Sequence, residues 1–416
     1  MPIISQLNSA LAASPKSLPP GLIYAMARER FSLKAVVRPN IWALKPYRCA
    51  RDDYSTGILL DANENSFGPS LPAGHQPPLP ALSNPSYTDT HLERYPDPYQ
   101  KEIKQSLAQF RGLPSTEHFF LGVGSDESLD LIIRVFCVPA RDKVLICPPT
   151  YGMYSVCAQI NDVEVVKVPL DVEGGKFQLK TNEIKKAVDA DPSIKVIFLC
   201  SPGNPTGTLL NPEDIKEILD YEGFTGVVVV DEAYVDFCPK GSSVAPWVTE
   251  YPNLIVTQTL SKAFGLAGIR LGVAISSPEI AQIFNNTKAP YNISTPSSIL
   301  ARSALTDEGV AQMHEHIRRI LAERSHLIDE LSKLKGIGQI IGGNHANFVL
   351  APILGSNDTP DNQRAFSIYK ALAESEGVVV RYRGTELGCE GCVRITVGTE
   401  KENDVLLNRL RKLLQE

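Results

Sequence analysis

The sequence predicts an α/β fold built on a mostly parallel sheet, followed by a smaller α+β domain, and three observations carry that prediction. Short, continuous apolar runs recur at 143–147, 163–168, 195–200, 227–231, 254–260 and 271–276. Runs of that length without polar alternation fit strands covered on both faces, as in a parallel sheet. Stretches with helical spacing separate several of them, at 126–137 and 211–222, which is the alternation of a layered α/β domain. Near residue 307 the pattern changes.

From 308 to 335, Val310, Met313, Ile317, Ile320, Leu327, Leu331 and Leu334 recur at three- and four-residue steps, and that spacing predicts one long amphipathic helix. A strand over 346–352, a helix over 362–376, two strands within 377–382 and 392–398, and a last helix over 401–414 are expected after it. The division expected is a leader and arm at 1–56, a large domain at 57–309 and a small one at 310–416. Residues 69–90, rich in Pro and Ser, read as an insertion loop.

The chain has 416 residues and a net charge of −6. It offers no broad basic field to nucleic acid or an anionic membrane. No apolar run reaches the roughly 18–20 residues of a membrane span. The eight cysteines are scattered, as reduced core thiols are. Cys389 and Cys392 form a single CxxC pair without further ligands nearby, so no metal is expected. Residues 1–45 are poor in acids and carry Ser, Ala and Arg. An arm partly docked on a neighbour, in a cytoplasmic protein, is preferred over a mitochondrial presequence.

Five stretches carry chemistry, at or near strand ends, where open α/β sheets bind ligands. In "GVGSDESLDLII" (122–133) a glycine-rich turn opens a helix at Gly124, Ser125 and Asp126. Its free N–H groups suit a phosphate, although Ser125 or Asp126 acting as a helix cap gives the same pattern. Glu127 occupies the third glycine position of a dinucleotide fingerprint and argues against one. "PPTYGMY" (148–154) offers Tyr151 for stacking on a planar ligand or for packing. "SPGNPTG" (201–207) holds Asn204 in a rigid turn. In "VVVVDEAYVDF" (227–237), Asp231 ends an apolar strand, where a carboxylate needs a partner, and Tyr234 follows. A helix cap is the alternative for Asp231. In "TLSKAFGLAGIR" (259–270), Lys262 lies among small apolar residues as a candidate nucleophile, with Ser261 and Arg270 as phosphate ligands. Arg381 and Arg394 lie in apolar runs, where a guanidinium calls for an anion.

Together these pieces describe a site for pyridoxal phosphate: an amine for the aldehyde, an acid for the ring nitrogen, donors for the ring oxygen and a phosphate cup. With "LDANENSFGP" (60–69), "RYPDP" (94–98) and the arginine pair, the chain from about residue 38 onward resembles the fold-type I aminotransferases of the aspartate aminotransferase superfamily. More closely it resembles the histidinol-phosphate aminotransferases.

That resemblance implies a seven-stranded sheet and catalysis by Lys262, Asp231 and Tyr234. Lys262 would anchor the cofactor and move the substrate proton, and Asp231 would hold the ring nitrogen. Tyr234 and Asn204 would hold the ring oxygen, and Tyr151 would stack on the ring. Gly124, Ser125, Asp126, Ser261 and Arg270 would cup the phosphate, joined by Tyr95 from the other subunit of a homodimer. Arg394 would bind the glutamate carboxylate, and Arg381 with Arg394 the phosphate of histidinol phosphate, near Asn63 and Tyr291. The implied reaction converts L-histidinol phosphate and 2-oxoglutarate to imidazole-acetol phosphate and L-glutamate, in histidine biosynthesis. A decarboxylase of phosphorylated amino acids, an aromatic aminotransferase and a cofactor-sensing regulator are the alternatives. The leader 1–35 and the length of 69–90 have no counterpart in the resemblance.

Overall fold

The computed structural model describes residues 53, 54, 57–61, 63, 65–68 and 96–415. Nearly all of the leader and arm, the Pro-rich stretch 69–90 and Tyr95 lie outside them. Every element below belongs to the unit Tyr47–Glu416.

The main sheet is seven-stranded. In chain order after the short strand β1 (Ile58–Leu59), its strands are β2 (Phe119–Val123), β3 (Lys143–Ile146), β4 (Glu164–Lys167), β5 (Ile194–Cys200), β6 (Val227–Asp231), β7 (Leu254–Thr259) and β8 (Leu271–Ser276). Across the sheet they run β2-β8-β7-β6-β5-β3-β4. The ladders from β7 to β4 are parallel. β8 is antiparallel to both β7 and β2. The reason is the short link between β7 and β8, since a parallel crossover needs a dozen or more residues and usually a helix.

Alternation explains why these strands read as unbroken apolar runs. Leu145, Ile197, Val228, Val230 and Val256 pack in one core layer. Val144, Val196, Val227, Val229 and Ile255 pack in the layer on the opposite face. Successive side chains of a strand point to opposite faces, so a sheet covered on both needs apolar residues at every step. Each buried valine contributes roughly 1.5–3 kcal/mol. Val229→Asp would set an unpaired charge inside a packed layer.

Strand β2 adds to the strands expected from the sequence. Its run "FFLGV" leads straight into the glycine turn, which masks it. Helix α1 (Lys101–Arg111) precedes it, and α2 (Gly124–Phe136) follows directly and packs on β8 and β2.

The second sheet is three-stranded and antiparallel, ordered β11-β12-β9. It comprises β9 (Phe348–Pro352), β11 (Arg381–Tyr382) and β12 (Cys392–Thr396). The long helix expected at 308–335 spans Asp307–Ser332. Thr306 caps it by accepting from the Gly309 N–H, and Asp307 and Glu308 occupy its first turn, where the helix dipole favours acids. The apolar run 377–382 divides. Val378–Val379, strand β10, pairs in parallel with β1, whereas Arg381–Tyr382 pairs with β12. No helix among the described residues is long and apolar enough to cross a membrane.

Candidate active site

The carboxyl ends of β5, β6 and β7 lie side by side, with Cys200 in register with Asp231 and Asp231 with Thr257. The loops that leave these ends surround a cavity of about 270 Å³. Asp231, Lys262, Tyr234, Asn204 and Tyr151 all line it. Ser125, Asp126, Ser261 and Arg270 line one part, and Asn63, Arg381 and Arg394 also face it.

Asp231 is 3% exposed. Its Oδ2 accepts a hydrogen bond from the Tyr154 phenol at 2.7 Å. Its Oδ1 is buried with no hydrogen-bond partner among the described residues. Burial pushes this carboxyl up to about 6, against the lowering effect of Tyr154. The strand runs into a turn rather than a helix at this point, so the helix-cap alternative for Asp231 falls away. A buried carboxylate oxygen that lacks a donor, at the wall of a cavity, fits a cationic ring N–H and is otherwise costly.

Tyr234 is buried and its ring packs edge-on to Phe348. The Asn63 Nδ2 donates to its phenol oxygen at 3.1 Å. Burial pushes the phenol up to about 12, so it keeps its proton at neutral pH and has it to donate. Asn204 is oriented in the same way. Arg394 Nη1 donates to its Oδ1 at 2.6 Å, which leaves the amide nitrogen as the free, donating end. Lys262 is half-buried, with Nζ 5.8 Å from the centroid of the Tyr234 ring.

At the other end, Gly124 begins α2 at φ 70°, and the helix start carries no side-chain cap. The N–H groups that follow Gly124 in the first turn are therefore available to an anion, and the phosphate alternative is favoured over the cap. Arg270 lies across this helix start. The Gly124 N–H donates to the Arg270 carbonyl at 2.9 Å, and a Cβ on Gly124 would come within 2.4 Å of Arg270 Nη2. Asp126 lines the same part of the cavity. Its carboxylate pairs with Arg270 Nη2 at 3.3 Å and accepts from the Tyr151 phenol at 3.1 Å. A carboxylate repels a phosphate, so only the Asp126 backbone N–H suits the cup.

Arg394 is 4% exposed, and Nη2 donates to the Asp61 carbonyl at 2.6 Å. Arg381 stands directly opposite it across the β11–β12 ladder. Like charges at opposed positions are unfavourable, which an anion between them relieves. Asn63, in the left-handed region at φ 53°, is tied to β12, its N–H donating to Thr396 Oγ1 at 3.0 Å.

Tyr291 is not brought to the site. It is 41% exposed and does not line the cavity. Tyr95 lies outside the described residues. Tyr154, Asp61, Cys200 and Arg383 also stand at the site, beyond the residues read from the sequence. Of these, Arg383 has a legible signal, since it follows Arg381 by one strand repeat.

A mostly parallel sheet with a lysine, a buried acid and an uncapped helix start at its strand ends fits a class of cofactor-dependent transferase. Residues 55–410 match the sequence model of the family described as aminotransferase class I and II, and the chain belongs to that family. It is 47% identical to the histidinol-phosphate aminotransferase of Candida maltosa, over 93% of this chain and 99% of that one. It is 48% identical to that of Schizosaccharomyces pombe, over 93% and 98%. In fold it is similar to the crystal structure of histidinol-phosphate aminotransferase from Sinorhizobium meliloti in complex with pyridoxal-5′-phosphate. That likeness has a TM-score of 0.76 and 24% identity, over 92% of this chain and 98% of that one.

Proposed function

We propose that this protein is a pyridoxal-phosphate-dependent aminotransferase that moves the amino group of L-histidinol phosphate to 2-oxoglutarate, yielding imidazole-acetol phosphate and L-glutamate in histidine biosynthesis. The observation that carries the reading is the buried, unpartnered Oδ1 of Asp231 facing the same cavity as Lys262 and Arg394. The names of relatives at 47% and 48% identity support the substrate.

The cofactor, when bound, supplies an aldehyde that takes up amines and a protonated ring that draws electrons from the substrate Cα. The chain's own residues supply the rest. Asp231 keeps the ring nitrogen protonated, with Tyr154 fixing its rotamer. Tyr234 donates its phenol proton and Asn204 its amide N–H toward the ring oxygen, each turned that way by a second bond, from Asn63 and Arg394 respectively. Tyr151 covers the ring. The N–H groups of Ser125 and Asp126, with Ser261 and Arg270, receive the phosphate at the helix start that Gly124 shapes. Lys262 holds the aldehyde and then moves the proton at Cα as a general base and acid. Arg381 and Arg394 receive the substrate anion.

The same reading implies a homodimer in which Tyr95 reaches the partner's phosphate cup, with residues 57–309 and 310–416 as the two domains of each subunit and a cytoplasmic location. The test is incubation with L-histidinol phosphate and 2-oxoglutarate. Stoichiometric L-glutamate supports the reading. Carbon dioxide release from a phosphorylated amino acid, without glutamate, would replace it with a decarboxylase.

A further inference from the structure

The proposed reaction brings two different anions into one cavity. Histidinol phosphate carries a phosphate monoester, with a charge of about −1.5 to −2 near neutral pH and three strong acceptor oxygens. Glutamate and 2-oxoglutarate carry carboxylates, each with one charge and two oxygens. A wall that serves both alike gains from a cation that engages only the larger, more highly charged group.

Arg394 is a fixed group, since Asn204 and the Asp61 carbonyl hold both its Nη atoms at 2.6 Å. Arg383 is held differently. Its N–H donates to the Cys392 carbonyl at 2.8 Å, continuing the ladder of β11 and β12. Arg381 and Arg383 are therefore one strand repeat apart and share a face, and both line the cavity. One nitrogen of Arg383, Nη1, donates to Glu386 Oε1 at 2.7 Å, and the two side chains are 20% and 24% exposed. Its Nε is buried and has no acceptor among the described residues. A guanidinium presents a planar fork of five donors, so a single carboxylate contact leaves most of it unused. Buried donors without acceptors are uncommon in folded proteins.

From this arrangement we infer that Arg383 is a specificity-determining residue, which engages the phosphate of the amino donor and not the carboxylate of the acceptor, with Glu386 as its partner when no phosphate is present. The inference rests on the reaction proposed above.

The experiment compares wild type, Arg383→Gln and Arg383→Lys as cofactor-loaded enzymes. It reads KM for L-histidinol phosphate, KM for 2-oxoglutarate, and calorimetric binding of inorganic phosphate. Loss of a charge-assisted contact to phosphate predicts a rise of about 10- to 100-fold in the histidinol-phosphate KM of Arg383→Gln. Phosphate affinity falls in parallel, the 2-oxoglutarate KM stays in place, and Arg383→Lys recovers part of the loss. An unchanged histidinol-phosphate KM, or an equal rise for both substrates, overturns the assignment. Should the wild type fail to use histidinol phosphate at all, the reaction is wrong, and phosphate binding by the variants still decides the role of Arg383.

Discussion

The phenol of Tyr154 donates a hydrogen bond to Asp231 Oδ2 at 2.7 Å from a fully buried position. The tyrosine ring is clamped, stacked on Phe198 with centroids 4.8 Å apart and edge-on to Tyr151 at 5.7 Å. Tyr154 therefore fixes one oxygen of the acid and leaves the other aimed into the cavity. Tyr154→Phe keeps the packing and strands Oδ2, a loss of about 1–3 kcal/mol for a buried acceptor. The Asp231 carboxyl then titrates above its present value of about 6, because the hydrogen bond that favoured its charged form is gone. The check is an infrared titration of the carboxyl in the cofactor-free protein, which shifts to higher pH in the variant. An unshifted titration would mean that Tyr154 only packs.

Lys262 is the lysine that lines the cavity. Lys262→Ala is expected to lose the visible absorbance of lysine-bound cofactor and nearly all turnover, roughly 10⁴-fold or more for a residue that acts as both anchor and proton carrier. Asp231→Asn should retain cofactor and slow the single-turnover rate. Retained transamination by the alanine variant would refute the assignment of Lys262.

Gly124 is needed for the phosphate cup through its backbone. At φ 70° with Arg270 Nη2 within 2.4 Å of any added Cβ, Gly124→Ala strains the helix start by about 1–2 kcal/mol and displaces the guanidinium. Titration with pyridoxal phosphate should show at least about tenfold weaker binding, and pyridoxal without the phosphate should be affected less. Equal losses for both would place the defect elsewhere.

Glu232, next to Asp231, belongs to a buried network of its own. It accepts from the Val244 N–H at 2.6 Å, the Ser243 hydroxyl at 2.6 Å and the Gln258 amide at 2.7 Å. Gln258 in turn accepts from Arg111, which pairs with Asp236 at 2.7 Å. Burial outweighs these donors and pushes the Glu232 carboxyl from 4.5 up to about 7. The folded protein thus holds this proton more tightly than the unfolded chain does. Its contribution to stability is full below about pH 4.5 and is lost as pH rises to about 7, on the order of 3 kcal/mol over the window. Glu232→Gln removes that slope. Urea unfolding of wild type and variant, both free of cofactor, should show the wild type losing stability relative to the variant from pH 5 to pH 8. Parallel curves would contradict the shift.

Much of this site was legible because its chemistry is local to strand ends. Asp231 closes a run of four valines, and Lys262 and Arg270 sit in the link that reverses the chain into β8, so type and position coincide in the sequence. Tyr154 was hidden by its neighbour Tyr151, since a packing tyrosine and a positioning one look alike until the acid beneath is placed. Asp61 contributes only a carbonyl to Arg394, and backbone contacts leave no trace in residue type. Strand β2 was obscured by the glycine turn that follows it. The division of 377–382 between two ladders depends on a partner, β1, that lies more than 300 residues upstream and has no signal of its own.

The most direct measurement is a two-step absorbance titration of the purified, cofactor-loaded protein. Addition of L-histidinol phosphate alone should convert the cofactor from its aldehyde to its amine form, and 2-oxoglutarate should then restore it, with one L-glutamate formed per site. A cofactor spectrum unmoved by L-histidinol phosphate, or converted without recovery on 2-oxoglutarate, would contradict the account.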